Sequence, residues 1–163
     1  MCSTLYDKDI VEHLPTIFEN YVTEILANLP ELEIEWETLN GGDKKRLKIK
    51  KSDPSGFDVI AECETYGLYP FAGEWHGPAW ELWPGNETLL DLCEQFMGFI
   101  RSLLCSDSKL EVKYAGGSPY KWVLTYPTEE GTEFQEIGLF FYNYFGRRTS
   151  KVFQNHHLPS RYR

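Results

Sequence analysis

Between positions 74 and 83 the chain reads Glu-Trp-His-Gly-Pro-Ala-Trp-Glu-Leu-Trp. This stretch holds three of the five tryptophans and one of the four histidines, with a carboxylate on either side of the histidine. A histidine titrates near neutral pH, and a neighbouring carboxylate can hold or take its proton. These residue types therefore suit general acid–base work. They suit a binding surface as well: Trp75, Trp80 and Trp83 offer apolar area, while Glu74, His76 and Glu81 offer polar points of attachment. A third reading is a connector pinned down by aromatic burial. The spacing matches no catalytic signature. There is no Gly-x-Ser-x-Gly, no His-Glu-x-x-His and no Gly-rich phosphate loop. The six residues Glu74, Trp75, His76, Trp80, Glu81 and Trp83 are the expected partner- or ligand-binding set, with no catalytic residue and no cofactor assigned.

Metal chemistry has little to work with. His156 and His157 are adjacent, and neighbours on an extended chain point to opposite faces, which makes a poor chelating pair. Cys2, Cys63, Cys93 and Cys105 contain no Cys-x-x-Cys pair. Cys93 and Cys105 would sit on one helix about 18 Å apart, too far for a disulfide. Reduced, buried thiols are expected.

The run Lys44-Lys45-Arg46-Leu47-Lys48-Ile49-Lys50-Lys51 has the charge of a nucleic-acid patch. Its hairpin partner, residues 31–37, alternates Glu31, Glu33, Glu35 and Glu37 with Leu32, Ile34 and Trp36. Paired strands would bring these opposite charges together on one solvent face. The formal net charge of −9 also repels phosphate, so nucleic acid is not an expected partner. Residues 147–163 carry five positive charges and no negative one, so the rest of the chain stands at −14. An acidic body of that size steers basic partners toward it.

These groups need elements to position them. Residues 9–29 place Ile10, Leu14, Ile17, Phe18, Tyr21, Val22, Ile25 and Leu29 at helical spacing. Residues 87–105 do the same with Leu89, Leu92, Cys93, Phe96, Ile100, Leu103 and Leu104, and Asn86 is the expected N-cap. Strands are expected over 31–37, 46–51, 57–66, 67–74, 109–115, 120–126 and 134–145. The last of these is apolar on both faces, so its second face is either covered or offered to a partner. The segment 67–86 is expected to be largely a connector, and 147–163 a basic tail.

A shift of 78 residues lays Leu14 on Leu92, Phe18 on Phe96 and Val22 on Ile100, and brings residues 32–36 onto 110–114. Each half, about 9–66 and 87–145, then reads helix–strand–strand–strand. A three-stranded meander cannot hide its apolar face alone. The expectation is a single α+β domain over 1–163, with one antiparallel sheet of six to eight strands and two helices packed on one face.

No apolar run is long enough to span a membrane, and the N-terminus lacks a signal peptide's basic head and apolar stretch, so a cytoplasmic protein is expected. The expected function is a non-enzymatic, acidic protein-binding module of the immunity kind, inhibiting a basic toxin-like partner. Two alternatives are a small-molecule binder or enzyme using 74–83, and a structural module that self-associates.

Overall fold

The computed structural model describes residues 14–82, 88–138 and 146–160. Several expectations fall outside the described residues: the helical start at 9–13, Trp83, Asn86, the aromatic run 139–145, and Arg161 and Arg163.

The protein is α+β, with two α-helices and two antiparallel sheets among the described residues. Helix α1 (Leu14–Leu26) buries Leu14, Phe18, Val22 and Leu26, one residue every fourth position, which is a single helical stripe. Helix α2 (Leu89–Leu103) buries Leu89, Leu92, Cys93, Phe96, Met97, Ile100 and Leu103. Its N-cap is Thr88. The Thr88 hydroxyl accepts from the Asp91 N–H at 3.1 Å, and the Asp91 carboxylate accepts from the Thr88 N–H at 3.2 Å. This reciprocal pair satisfies two otherwise orphaned donors, so the cap lies two residues beyond the expected Asn86. No helix among the described residues is long and apolar enough to cross a membrane.

The first sheet is a meander of β1 (Ile34–Leu39), β2 (Lys44–Ile49), β3 (Val59–Glu64) and β4 (Gly67–Ala72). Register aligns Leu47 with Ala61 and Ile49 with Val59, then Val59 with Ala72 and Cys63 with Leu68. All of these side chains are buried, so they form one inward face. Helix α1 touches β2 and β3, and α2 touches β3 and β4. Phe18 also meets Trp36 of β1 edge to face, with ring centroids 6.1 Å apart.

The second sheet has the order β10-β7-β8-β9, from β7 (Lys109–Ala115), β8 (Ser118–Thr128), β9 (Gly131–Gly138) and β10 (Arg148–Gln154). The helix–strand–strand–strand order of each half is therefore present, but the strands divide between two sheets where one was expected. The connector closes one edge of the first sheet. Two short strands, β5 (Trp75–His76) and β6 (Trp80–Glu81), pair with the far side of β4. They occupy the β4 edge, one of the two edges at which the second meander could have continued the sheet. The expected basic tail differs too, because Arg148–Gln154 is a strand along β7.

With no strand ladder shared between them among the described residues, the halves join through side chains and through the final segment. One hydrophobic cluster runs from α1 and the first sheet through α2 to Leu110, Val112, Leu124 and Tyr126 of the second. The Gln154 N–H donates to the Ser55 carbonyl at 2.9 Å, and the Leu158 N–H donates to the Leu104 carbonyl at 3.1 Å. Cys63, Cys93 and Cys105 are buried and in no disulfide, as expected, while Cys2 lies outside the described residues. Burial pushes the Cys93 thiol up to about 11 and raises that of Cys63 further.

Candidate functional site

The connector does not present its chemistry in one place. Alternation along β5 turns Trp75 inward and His76 outward. Trp75 is 0% exposed and packs against Phe99 of α2 at a centroid distance of 6.4 Å. Gly77 makes this possible: a Cβ there would stand 2.7 Å from the Trp75 ring and 2.8 Å from Pro70. His76 is exposed opposite Phe71. Glu74 is occupied elsewhere, accepting from the Trp122 indole N–H at 3.1 Å at the edge of a second cleft of about 410 Å3. Glu74, His76 and Glu81 thus face separate surroundings. Among the described residues, no three His, Cys, Asp or Glu are grouped to hold a metal ion.

Trp80 and Glu81 of β6 do enter a common site. They form one wall of an open groove of about 650 Å3. Its floor is the α2 face carrying Gln95, Gly98, Phe99 and Ser102. The opposite wall is the β8–β9 end, with Tyr126, Glu129, Glu133 and Gln135. The aromatic residues are rigidly interlocked. The Phe99 ring stands 5.8 Å from Trp80 and 5.0 Å from Tyr126, and Trp80 meets Phe96 edge to face at 5.7 Å.

Polar contacts fix the far wall. The Tyr126 hydroxyl donates to a Glu133 oxygen at 3.0 Å and accepts from the Gln135 amide at 2.9 Å. Burial raises the Tyr126 pKa, and its donation to Glu133 raises it further. The phenol therefore stays protonated and keeps Glu133 placed. Glu81, Glu129 and Glu133 are all exposed to solvent around the groove. The site combines three carboxylates with the half-buried rings of Trp80 and Phe99, backed by the buried ring of Tyr126.

Gly98 is the least expected lining residue. A glycine inside a helix costs about 0.5–1 kcal/mol relative to alanine. Here no atom of the described residues lies within 4 Å of where a Cβ would sit, so their packing does not require it.

The basic run belongs to a different surface and is internally paired. Lys44 contacts Glu62 at 2.6 Å and Glu64 at 2.8 Å, and Arg46 contacts Glu62 at 2.6 Å and Glu37 at 3.0 Å. Lys48 pairs with Asp58 at 3.0 Å, and Lys50 pairs with Glu35 at 2.8 Å and with Glu33. The cross-strand neutralisation expected from β1 is present, and β3 adds to it through Glu62. That carboxylate is 6% exposed. Its burial alone would raise its pKa, but hydrogen bonds from Lys44 and Arg46 outweigh this and hold it below the usual carboxylate range.

Of the six expected residues, Trp80 and Glu81 line the groove, Glu74 and His76 lie elsewhere on the surface, Trp75 is core, and Trp83 is outside the described residues. Sequence reasoning did not assign Gly98, Phe99, Tyr126, Glu129, Glu133 or Gln135 to a site. Two signals were present: a glycine within an otherwise regular amphipathic helix, and consecutive glutamates at the 128–131 turn. Comparison with protein-family models, curated proteins and solved structures finds no match to this chain.

Proposed function

We propose that this chain is a non-catalytic binding module that neutralises a basic protein partner in the manner of an immunity protein, and that it works in the cytoplasm. The observation that supports this reading best is the groove, where Glu81, Glu129 and Glu133 surround the aromatic surface of Trp80, Phe99 and Tyr126. Carboxylates around a rigid aromatic wall suit a cationic protein surface better than an anionic or neutral one. The acidic body adds long-range attraction, raising the rate of encounter with a basic partner. The acid–base alternative has less support, because Glu74, His76 and Glu81 do not converge.

The test is co-purification of the full chain with basic proteins encoded beside it, followed by stopped-flow association at several salt concentrations. The expected result is a one-to-one complex whose association rate falls by about tenfold or more between low and physiological salt. A neighbourhood screen that yields no complex, or one whose association rate ignores salt, contradicts the reading.

A further inference from the structure

We propose that the groove recognises an arginine side chain of the partner, carried on an extended segment that lies against α2 across Gly98. This inference rests on the partner-binding reading above and specifies its chemistry. Three features of the groove converge on it.

The first is charge combined with shape. Glu81 stands on one wall and Glu129 and Glu133 on the other, so a cation entering the groove meets carboxylates from both sides. A lysine ammonium could satisfy charge alone. The lining also carries the half-buried rings of Trp80 and Phe99, however, and a planar guanidinium stacks on aromatic rings while its fork of N–H groups reaches carboxylates at its rim. Arginine matches both halves of the lining.

The second is preorganisation. Tyr126 is anchored between Glu133 and Gln135, and its ring is edge-on to Phe99. A wall held by its own hydrogen bonds needs little reordering when a ligand arrives.

The third is Gly98. Its backbone conformation is ordinary and the space over it is empty of other described residues, so neither strain nor packing among them explains a glycine there. A side chain would project over the groove floor. Its absence leaves room for another chain to approach the helix closely.

The probe is the peptide acetyl-Gly-Ser-Arg-Ser-Gly-amide, titrated into the isotope-labelled full chain and followed by NMR. Matched peptides carry lysine or citrulline in place of arginine. Citrulline keeps the planar shape and removes the charge. The expected result is saturable shifts of the Gly98 amide and the Trp80 indole. Binding should be at least about tenfold weaker for citrulline and measurably weaker for lysine. Glu81→Gln with Glu133→Gln should weaken arginine binding about tenfold, and Gly98→Leu, which has space to fold, should abolish it. Equal binding of citrulline, or shifts that bypass Gly98 and Trp80, would overturn the proposal. The two readings also separate. If a basic partner binds the wild-type chain and the groove variants alike, the arginine site is wrong while partner binding stands. If the arginine peptide binds as expected but no basic partner is found, the site stands without the function proposed for it.

Discussion

Phe18 and Phe96, which a shift of 78 residues lays over one another, touch each other edge to face at 6.2 Å between ring centroids. Both rings are 0% exposed, and each also meets a tryptophan of the first sheet, Trp36 for Phe18 and Trp80 for Phe96. The two helices are thus fastened to one another through this ring pair. Replacing either ring with alanine should cost about 3–5 kcal/mol. The double variant should cost less than the sum by about 0.5–1.5 kcal/mol. Chemical denaturation of the four species checks this, and strict additivity would remove the ring pair from the account.

A second joint is Asn155, 98 residues from its partner Phe57. Its amide donates to the Phe57 carbonyl at 2.9 Å, and its carbonyl oxygen accepts the Phe57 N–H at 3.1 Å. The side chain is 0% exposed. In Asn155→Ala two buried backbone groups lose their partner, so a loss of about 2–3 kcal/mol is expected. Asn155→Leu should be at least as damaging despite its greater apolarity. Equilibrium unfolding in urea measures both, and a leucine variant as stable as wild type would contradict the assignment.

The ion network on β2 and β3 makes a pH prediction. The Glu62 carboxyl has a folded-state pKa below its unfolded value. Its stabilising contribution is therefore fully present above the unfolded carboxylate range and is lost as pH falls through the lower folded value. Glu62→Gln should destabilise the protein by about 2 kcal/mol at neutral pH. Its stability should then fall less steeply than wild type below about pH 4.5. Thermal melts across that range test the point, and parallel wild-type and variant curves would count against it.

Gly98→Ala should raise stability by about 1 kcal/mol, because helix propensity improves and the new methyl meets nothing. Its unfolding midpoint should move upward with an unchanged denaturant slope. Destabilisation would mean that the glycine serves the chain's own packing.

The helices and the charge pairing were legible in the sequence because both are local. Leu14, Phe18 and Val22 report a helix by spacing alone, and alternating Glu and Lys on adjacent strands report their own pairing. Edges are different. Alternation says which face of a strand is buried but not which strand lies beside it, so the capture of β4 by β5 and β6 left no periodic trace. Strand β10 was missed because Arg148–Phe153 is an exposed, charged edge with little apolar alternation. The groove was half visible for a similar reason. Trp80 and Glu81 announce themselves within ten residues, whereas Tyr126 and Glu133 reach the site only after two further strands have formed.

Hydrogen–deuterium exchange on the complex with a basic partner tests the account most directly. Protection should appear at 78–81, along 95–102 and at 126–135, the three segments that build the groove. Protection confined to the paired charges of β1 and β2, with these three segments exchanging as in the free chain, would contradict it.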